Sequence, residues 1–342
     1  MKNKIKALSL IFLMIFLITA CSGQGQNNSD SLEKQNKTDV KTAETVDIKL
    51  STPFAPNSIP LFYMMEKELL GENINLDVSI HKTRQEVTAM LMKKNIDMAM
   101  LSVQEAAKLY NKDIPVKIIN ANYGATFFLM SNKSEIQSID DINGKTIWTS
   151  KKGGPVEFVL SSILSNKGIK PNEDIKLKYM NLKELSQLVI NDLKDIEFFT
   201  LREPFVSQVK HKKDNTIIVS NLDEEWKKIY GNRVPFAGVV SRSEFISNHP
   251  QLVSVFNEKY SDAIKWVKEN PKEAAKLGAK YLKGMPVEVI EEALNNMELE
   301  LIDSTKTKSE LKSYYNQWLK FNPSMIGNKI PDDDFYSGLQ NE

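Results

Sequence analysis

A glycine turn between a predicted strand and a predicted helix is the stretch best suited to hold a small molecule. Residues 145–150 contain Ile, Trp and Thr in succession, which favours a short half-buried strand, and Pro155 suits the first turn of the helix that follows. The first N–H groups of a helix have no partner within it, and glycines let a ligand approach them closely. A plain Gly-Gly-Pro turn would have the same sequence. The candidate ligand contacts of this turn are Gly153, Gly154, Val156 and Glu157.

Further candidate contacts follow the first and third predicted strands. Ligands of parallel α/β sheets bind beyond the carboxyl ends of the strands, where helix N-termini converge. These candidates are Phe54, Asn57 and Ser58 after the first strand, and Ser102 and Gln104 after the third. Ser102 could equally be only a helix cap, because Ser102 and Glu105 have the spacing of a capping box. Flat rings able to cover a heteroaromatic ligand are Tyr63, Tyr123, Phe127, Trp148 and Phe199.

Strands and helices alternate along the first part of the folded chain. Predicted strands at 74–80, 96–101 and 116–120 are separated by helical patterns, which favours a mainly parallel sheet with helices on both faces. An apolar extended stretch at 122–130 predicts a crossing into a second lobe, and 234–241 predicts the strand that returns. We therefore expect one lobe from 46–121 plus 237–342 and another from 122–236. In the helical remainder, Thr307 is predicted to begin a capping box, and the three aspartates at 332–334 are predicted to form a solvated tail.

The N-terminus has the pattern of a targeting segment. Lysines at positions 2, 4 and 6 precede an apolar run at 7–18, which is too short to span a bilayer. Residues 18–21, Ile-Thr-Ala-Cys, resemble the lipobox of bacterial lipoproteins, which implies a signal peptide at 1–20 and lipidation of Cys21. The polar residues 21–45 are predicted to be a disordered tether. Cys21 is the only cysteine, so a disulfide within one chain is impossible.

Composition excludes some functions. A chain of 342 residues with a net charge of +1 and 41% hydrophobic residues is an ordinary globular protein, large enough for two lobes. No basic run with interleaved aromatic residues indicates nucleic-acid binding. None of the three histidines lies beside an obvious nucleophile, and we expect neither a catalytic residue, a cofactor nor a metal ion.

The chain resembles the solute-binding lipoproteins of ABC importers, in the group that carries nitrate, aliphatic sulfonates, taurine and thiamine-pyrimidine precursors. The resemblance covers about 46–277. It rests on the order and spacing of a Pro-rich loop with its helix (54–69), of Asn95-Ile96-Asp97, of the strand, turn and helix at 141–164, of Glu203-Pro204-Phe205, and of residues 242–250.

This resemblance implies a type II periplasmic-binding-protein fold, in which two α/β lobes joined by two crossover segments close over a ligand. It also implies a monomeric receptor, lipid-anchored on the outer face of the membrane, that delivers a small solute to a permease and its ATPase. Glu203 becomes a candidate contact through the Glu-Pro motif. Two alternatives stay open, an enzyme on the same fold and a sensory or adhesin lipoprotein.

The ligand class stays open as well. Arg202 and the pair Lys151 and Lys152 favour an anion. Relatives that bind oxyanions often have a Gly-Ser/Thr-rich turn where this chain has Lys-Lys-Gly-Gly-Pro, so backbone donors remain while hydroxyl donors are missing. Glu157 already complements the helix dipole, which weakens the case for a second negative group there.

Overall fold

The computed structural model describes residues 45–124, 127–133 and 138–339. The predicted signal peptide, Cys21 and all but the last residue of the predicted tether lie outside the described residues. Within the described part of the chain, no helix is long and apolar enough to cross a bilayer.

The first sheet combines strands from both ends of the described chain. In β1, the fully buried Ile48 and Leu50 alternate with the exposed Asp47 and Lys49, the pattern of a strand that faces a core on one side. The spatial order is β11-β4-β10-β3-β1-β2. Its strands are β1 (Val46–Pro53), β2 (Ile74–His81), β3 (Met98–Ser102), β4 (Val116–Tyr123), β10 (Ala237–Arg242) and β11 (Glu300–Leu301).

The second sheet is built from the middle of the chain. Its spatial order is β7-β6-β8-β5-β9. Its strands are β5 (Phe127–Ser131), β6 (Thr146–Thr149), β7 (Lys176–Tyr179), β8 (Phe198–Arg202) and β9 (Ile217–Asn221). The chain therefore passes from the first sheet to the second between β4 and β5, and returns before β10.

The prediction of a mainly parallel sheet is wrong in one respect. β1 pairs in parallel with β2 and β3, but β10 lies between β3 and β4 and runs antiparallel to both. In the second sheet β5 is likewise antiparallel to β8 and β9. These antiparallel strands follow or precede the crossings, and their direction depends on long-range pairing that the local pattern does not encode.

The helices cover the faces of both sheets, with α4 following the glycine turn and α12 near the end of the chain. The sequence pattern missed α7 and the short β11. The α-helices are α1 (Ile59–Glu66), α2 (Arg84–Met92), α3 (Val103–Tyr110), α4 (Pro155–Asn166), α5 (Leu182–Ile190), α6 (Phe205–Lys212), α7 (Leu222–Tyr230), α8 (Ser243–Asn248), α9 (Pro250–Glu269), α10 (Pro271–Tyr281), α11 (Val287–Met297) and α12 (Ser304–Phe321).

Of the three predicted capping boxes, one forms its cap. The Thr83 hydroxyl accepts from the N–H of Glu86 at 3.1 Å. Ser102 begins α3 without capping it through its side chain. Thr307 lies one turn inside α12, whose cap is Asp303, and it donates to the carbonyl of Asp303 at 2.9 Å.

The three aspartates at 332–334 do not form a free tail. Asp332 accepts from the hydroxyl of Tyr110 at 2.5 Å, and Asp334 accepts from the ammonium of Lys117 at 2.7 Å. Asp333 accepts from Lys312 at 2.8 Å. The aspartates are exposed, so their predicted solvation is confirmed. The prediction of a tail is wrong, because Tyr110 and Lys117, which are distant in sequence, hold the segment in place.

One hydrophobic core spans elements of both sheets through α12. Tyr315 is fully buried near α3 and donates its hydroxyl to the carbonyl of Val103 at 2.9 Å. One turn later, Trp318 stacks on Phe158 of α4, with ring centroids 4.0 Å apart. α12 thus packs against helices that flank each sheet.

Candidate functional site

A cleft of about 560 Å³ lies where the ends of strands from both sheets meet. The side nearer the first sheet is formed by the end of β1, the end of β2 and the junction of β3 with α3. The side nearer the second sheet is formed by the end of β6, the start of α4 and the end of β8. The lining residues used below are Phe54, Asn57, His81, Arg84, Ser102, Gln104, Glu105, Phe127, Ser150, Pro155, Val156, Leu182, Arg202 and Phe236.

Arg202 is the cation of the second-sheet side. It ends β8, opposite Phe127 of β5, and its Nη1 donates to the carbonyl of Glu203 at 3.4 Å. Burial lowers the pKa of Arg202, and the nearby Arg84 lowers it further. No carboxylate among the described residues pairs with this guanidinium. Arg202 is half-buried. Because partial burial of a cation without a counter-ion is costly, an anion in the cleft would be stabilised by it.

Two nearly buried carboxamides lie on the first-sheet side. Asn57 is 3% exposed, and its Nδ2 donates to the sulfur of Met100 at 3.6 Å, while its Oδ1 has no partner among the described residues. The thioether can only accept, which favours this orientation of the amide over the flipped one. Gln104 is 2% exposed, and its side chain forms no hydrogen bond with another described residue. A buried carbonyl oxygen without a donor favours a ligand that brings one.

His81 and Glu105 are the titratable neighbours of these amides. The Nδ1 of His81 is 3.0 Å from the hydroxyl of Ser51, so Nε2 is the nitrogen that remains for the cleft. Burial lowers the pKa of His81, and Glu86 partly opposes this. Burial raises the pKa of Glu105, although its carboxylate lies 3.3 Å from the guanidinium of Arg84.

Apolar side chains form the rest of the wall. Phe127 and Phe236 lie edge to face, with ring centroids 6.1 Å apart, and Leu182 also lines the cleft. Phe54 also lines the cleft and is 47% exposed, which is unusual for a phenylalanine. The cleft therefore offers polar groups at several points of an otherwise apolar surface, the usual composition of a small-molecule site.

Six of the thirteen candidate contacts from the sequence line this cleft. They are Phe54, Asn57, Ser102, Gln104, Val156 and Arg202. The others lie elsewhere, as follows.

Ser58, Tyr123 and Glu203 are engaged by other residues of the fold. The Ser58 hydroxyl accepts from Thr52 and donates to the carbonyl of Pro53, both at 2.7 Å. The Tyr123 hydroxyl donates to Glu310. Burial raises the pKa of Glu203, which accepts from Ser207 at 2.9 Å and from Asn296 at 2.7 Å. The last contact links the turn between β8 and α6 to α11.

Trp148 packs on the far side of the second sheet. It shares a hydrophobic cluster with Phe199 and Leu185, and the ammonium of Lys194 lies 4.3 Å from the centroid of its ring. Tyr63, another of the predicted flat surfaces, stacks on Trp266, with ring centroids 3.8 Å apart. Of the rings proposed from the sequence as surfaces for a ligand, Phe127 lines the cleft.

The glycine turn stands behind the cleft wall rather than in it. The N–H of Gly154 donates to the carbonyl of Lys151 at 3.0 Å, so it is already used. The N–H of Gly153 donates to the carboxylate of Glu157, which also accepts from the hydroxyl of Tyr179 at 2.6 Å. The turn is followed by Pro155 and Val156, which both line the cleft.

Sequence reasoning missed several lining residues. His81 and Arg84 follow the second strand, so the rule applied to the first and third strands would have found them. Phe236 precedes the returning strand and was predicted only as part of that strand. Among the described residues, no group of three or more His, Cys, Asp or Glu side chains could hold a metal ion.

Solved structures share this architecture. An ABC transporter protein from Parabacteroides distasonis superposes with a TM-score of 0.73 at 18% identity, covering 85% of this chain and 98% of its own. The periplasmic aliphatic sulphonate binding protein SsuA from Escherichia coli superposes with a TM-score of 0.65 at 12% identity, covering 86% of this chain and 100% of its own. The fold is therefore that of the type II periplasmic binding proteins, with two α/β lobes joined by two crossover segments.

The family follows from the sequence. Residues 55–274 match the family described as NMT1/THI5 like, and this chain belongs to that family. It is also 22% identical over 267 residues to YtlA of Bacillus subtilis (strain 168), which carries the name of a binding protein; the match covers 76% of this chain and 72% of YtlA.

Proposed function

We propose that this protein is the extracytoplasmic receptor of an ABC importer and that its cleft captures a small organic or inorganic anion. The observation that carries the ligand class is the guanidinium of Arg202, which is half-buried at the cleft and has no carboxylate partner among the described residues. Family membership and the fold support the receptor role, and the sulphonate-binding function of SsuA supports an anion.

The anionic group of the ligand lies against Arg202, near Val156 of the cleft lining. Glu157 already complements the N-terminus of α4, so the guanidinium supplies the charge that the ligand meets. The carboxamides of Asn57 and Gln104 contact the polar remainder of the ligand, and Phe54 covers its apolar part. Because Asn57 Oδ1 needs a donor, the site favours an anion that also carries an N–H or O–H group.

Two lobes close over this ligand and carry it to a permease with its ATPase. The proposed lobes are 46–121 plus 237–342 and 122–236, which divide the chain near the two passages between its sheets. Lipidation of Cys21 and the tether at 21–45 hold the protein at the outer face of the membrane. A receptor held there encounters solutes at the mouth of its permease.

Calorimetric titration with nitrate, methanesulfonate, taurine and a thiamine-pyrimidine precursor tests the ligand class. We expect at least one of nitrate, methanesulfonate and taurine to bind. Arg202→Gln should weaken that binding ten- to a hundredfold, or by about 1.4 to 2.8 kcal/mol. Arg202→Lys keeps the positive charge but not the planar guanidinium, so it should lose less affinity than Arg202→Gln.

Lys210→Gln provides the matched control, because Lys210 pairs with Glu292 at 3.8 Å and does not line the cleft. It should bind like the wild type. Binding of the uncharged pyrimidine alone, or full affinity in Arg202→Gln, would show that the ligand is not recognised as an anion. Co-purification with a permease and an ATPase tests the transport role separately.

A further inference from the structure

The residue that ends α12 contacts the glycine turn from behind the cleft. Asn322 donates from Nδ2 to the carbonyl of Gly153 at 3.1 Å. Its Oδ1 accepts from the hydroxyl of Ser324 at 2.8 Å. A carbonyl can only accept, so these two contacts together set the orientation of the amide. The backbone N–H of Asn322 is bonded to the carbonyl of Trp318 at 2.8 Å, which ties the residue to the helix.

Gly153 leaves no room for any other side chain at this contact. Its φ of +72° is in the left-handed region, and a Cβ at this position would lie 2.5 Å from the Nδ2 of Asn322. Its N–H is held on the other side by Glu157. Burial and the bond to Glu157 together raise the pKa of Tyr179 to about 12, so this hydroxyl stays a donor at ordinary pH.

The same helix reaches the opposite cleft wall. The hydroxyl of Tyr315 is bonded to the carbonyl of Val103, which lies between the cleft residues Ser102 and Gln104. Tyr315 and Asn322 are seven residues apart, or about 10 Å along a helix. Between them, Trp318 stacks on Phe158 of α4. One rigid element is therefore bonded to the backbone behind both walls.

We propose that α12 is a spacer that sets the separation of the cleft walls, and that Asn322 is a positioning residue for ligand binding. The inference rests on the proposed function, because the cleft is taken as the ligand site. Among the described residues, the hydrogen-bond partners of Asn322 do not include a residue that lines the cleft. It holds the turn at 151–154, and the turn in turn determines where Ser150, Pro155 and Val156 meet the ligand.

Two measurements on full-length Asn322→Ala test this role. Hydrogen exchange without ligand should be faster in peptides covering 151–157 and unchanged in β1 and β3. Calorimetry with methanesulfonate should show affinity reduced about five- to twentyfold, a change of about 1 to 1.8 kcal/mol. Asn316→Ala is the matched control, because Asn316 is an exposed asparagine of the same helix and should change neither quantity.

A double-mutant cycle with Gly153→Ala isolates the contact. The added methyl group meets Asn322 in the wild type, so Gly153→Ala should cost less affinity in the Asn322→Ala background than alone. If Asn322→Ala does not fold, Ser324→Ala frees the same carboxamide to rotate and should produce smaller changes in the same direction.

Unchanged exchange at 151–157 in Asn322→Ala would overturn the inference, and so would faster exchange with wild-type affinity. If the wild type binds nitrate or taurine but not methanesulfonate, the affinity of Asn322→Ala is measured with that anion instead. If it binds none of the three, the proposed ligand class loses support. In that case, the hydrogen-exchange measurement alone decides whether Asn322 holds the turn.

Discussion

Some charged and hydrogen-bonding groups at the cleft have partners within the protein, and others do not. Arg202 lacks a carboxylate partner and Asn57 Oδ1 lacks a donor among the described residues, whereas Glu105 is paired with Arg84. In a folded protein, nearly all buried polar groups have partners. Asn57 Oδ1 is one of six buried side-chain nitrogen or oxygen atoms without a partner among the described residues, and it is the one whose residue lines the cleft. Together with Arg202, it is the residue-scale argument for a ligand that supplies both an anion and a donor.

His81 predicts how affinity depends on pH. Burial lowers its pKa below the ordinary 6.5, so the neutral ring is the stable form in the free protein. A bound anion favours the imidazolium and raises that pKa, so binding takes up protons and strengthens as the pH falls through the raised value. We expect about three- to tenfold tighter methanesulfonate binding at pH 5.5 than at pH 7.5.

The control is His81→Gln, which should remove most of this dependence. The other charged groups near the ring are Glu86, Lys82, Arg84 and Glu105. Protonation of Glu105, whose pKa is raised, would also favour an anion, so Glu105→Gln should be measured beside it. An unchanged slope in His81→Gln would contradict a role for the histidine. Without ligand, stability should fall as the pH drops through the lowered pKa of His81.

At the scale of elements, the glycine turn shapes the cleft wall from behind. A Cβ on Gly154 would lie 2.8 Å from the carbonyl oxygen of Lys151, which belongs to the backbone of the same turn. The φ of Gly154 is −90°, which any residue can adopt. The need for glycine here is therefore steric rather than conformational.

We expect Gly154→Ala to destabilise the protein by about 1 to 3 kcal/mol and Gly154→Val by more, since the added atoms force the turn to shift. Thermal unfolding without ligand measures this. We expect a variant that loses affinity for the ligand to have lost stability as well. A Gly154→Val protein with wild-type stability and lost binding would instead place the ligand directly against the glycine.

At the scale of the whole molecule, the two passages between the sheets are short. β4 ends at Tyr123 and β5 begins at Phe127, while α7 ends at Tyr230 and β10 begins at Ala237. Short extended segments between packed units are suited to hinge motion. α12 adds a third connection, because it packs against elements of both units.

Small-angle scattering should therefore show a modest compaction when a bound anion saturates the cleft. The compaction should be limited because α12 already joins both halves. Trp318→Ala removes the stacking on Phe158 and should broaden the distribution of interatomic distances measured for the ligand-free protein. Superimposable profiles with and without ligand would contradict closure by a hinge.

Cys21 predicts where the protein resides. Cys21→Ala should release it into the medium or leave the precursor uncleaved, because the lipid anchor proposed at Cys21 cannot form without its thiol. Fractionation of cells with an antibody to the folded part measures this, and Ser22→Ala is the matched control beside the same site. Normal processing and membrane retention of Cys21→Ala would contradict lipidation.

The sequence by itself determined the local elements and their order. The buried alternation in β1, the turn of glycines before Pro155 and the cap at Thr83 each depend on neighbours within a few residues, and all three are present in the structure. The rule that ligands lie beyond strand ends also led to Asn57 and Gln104, which line the cleft, because this rule needs only the strand order along the chain.

Tertiary structure alone decided which side of each element faces the cleft. Trp148 and Arg202 both lie on strands of the second sheet. Trp148 packs under helices, whereas Arg202 lines the cleft. The insertion of β10 between β3 and β4, and the contact of Asn322 with Gly153, join residues far apart in sequence. Such contacts depend on how whole elements pack, and a local pattern of hydrophobic residues does not contain that information.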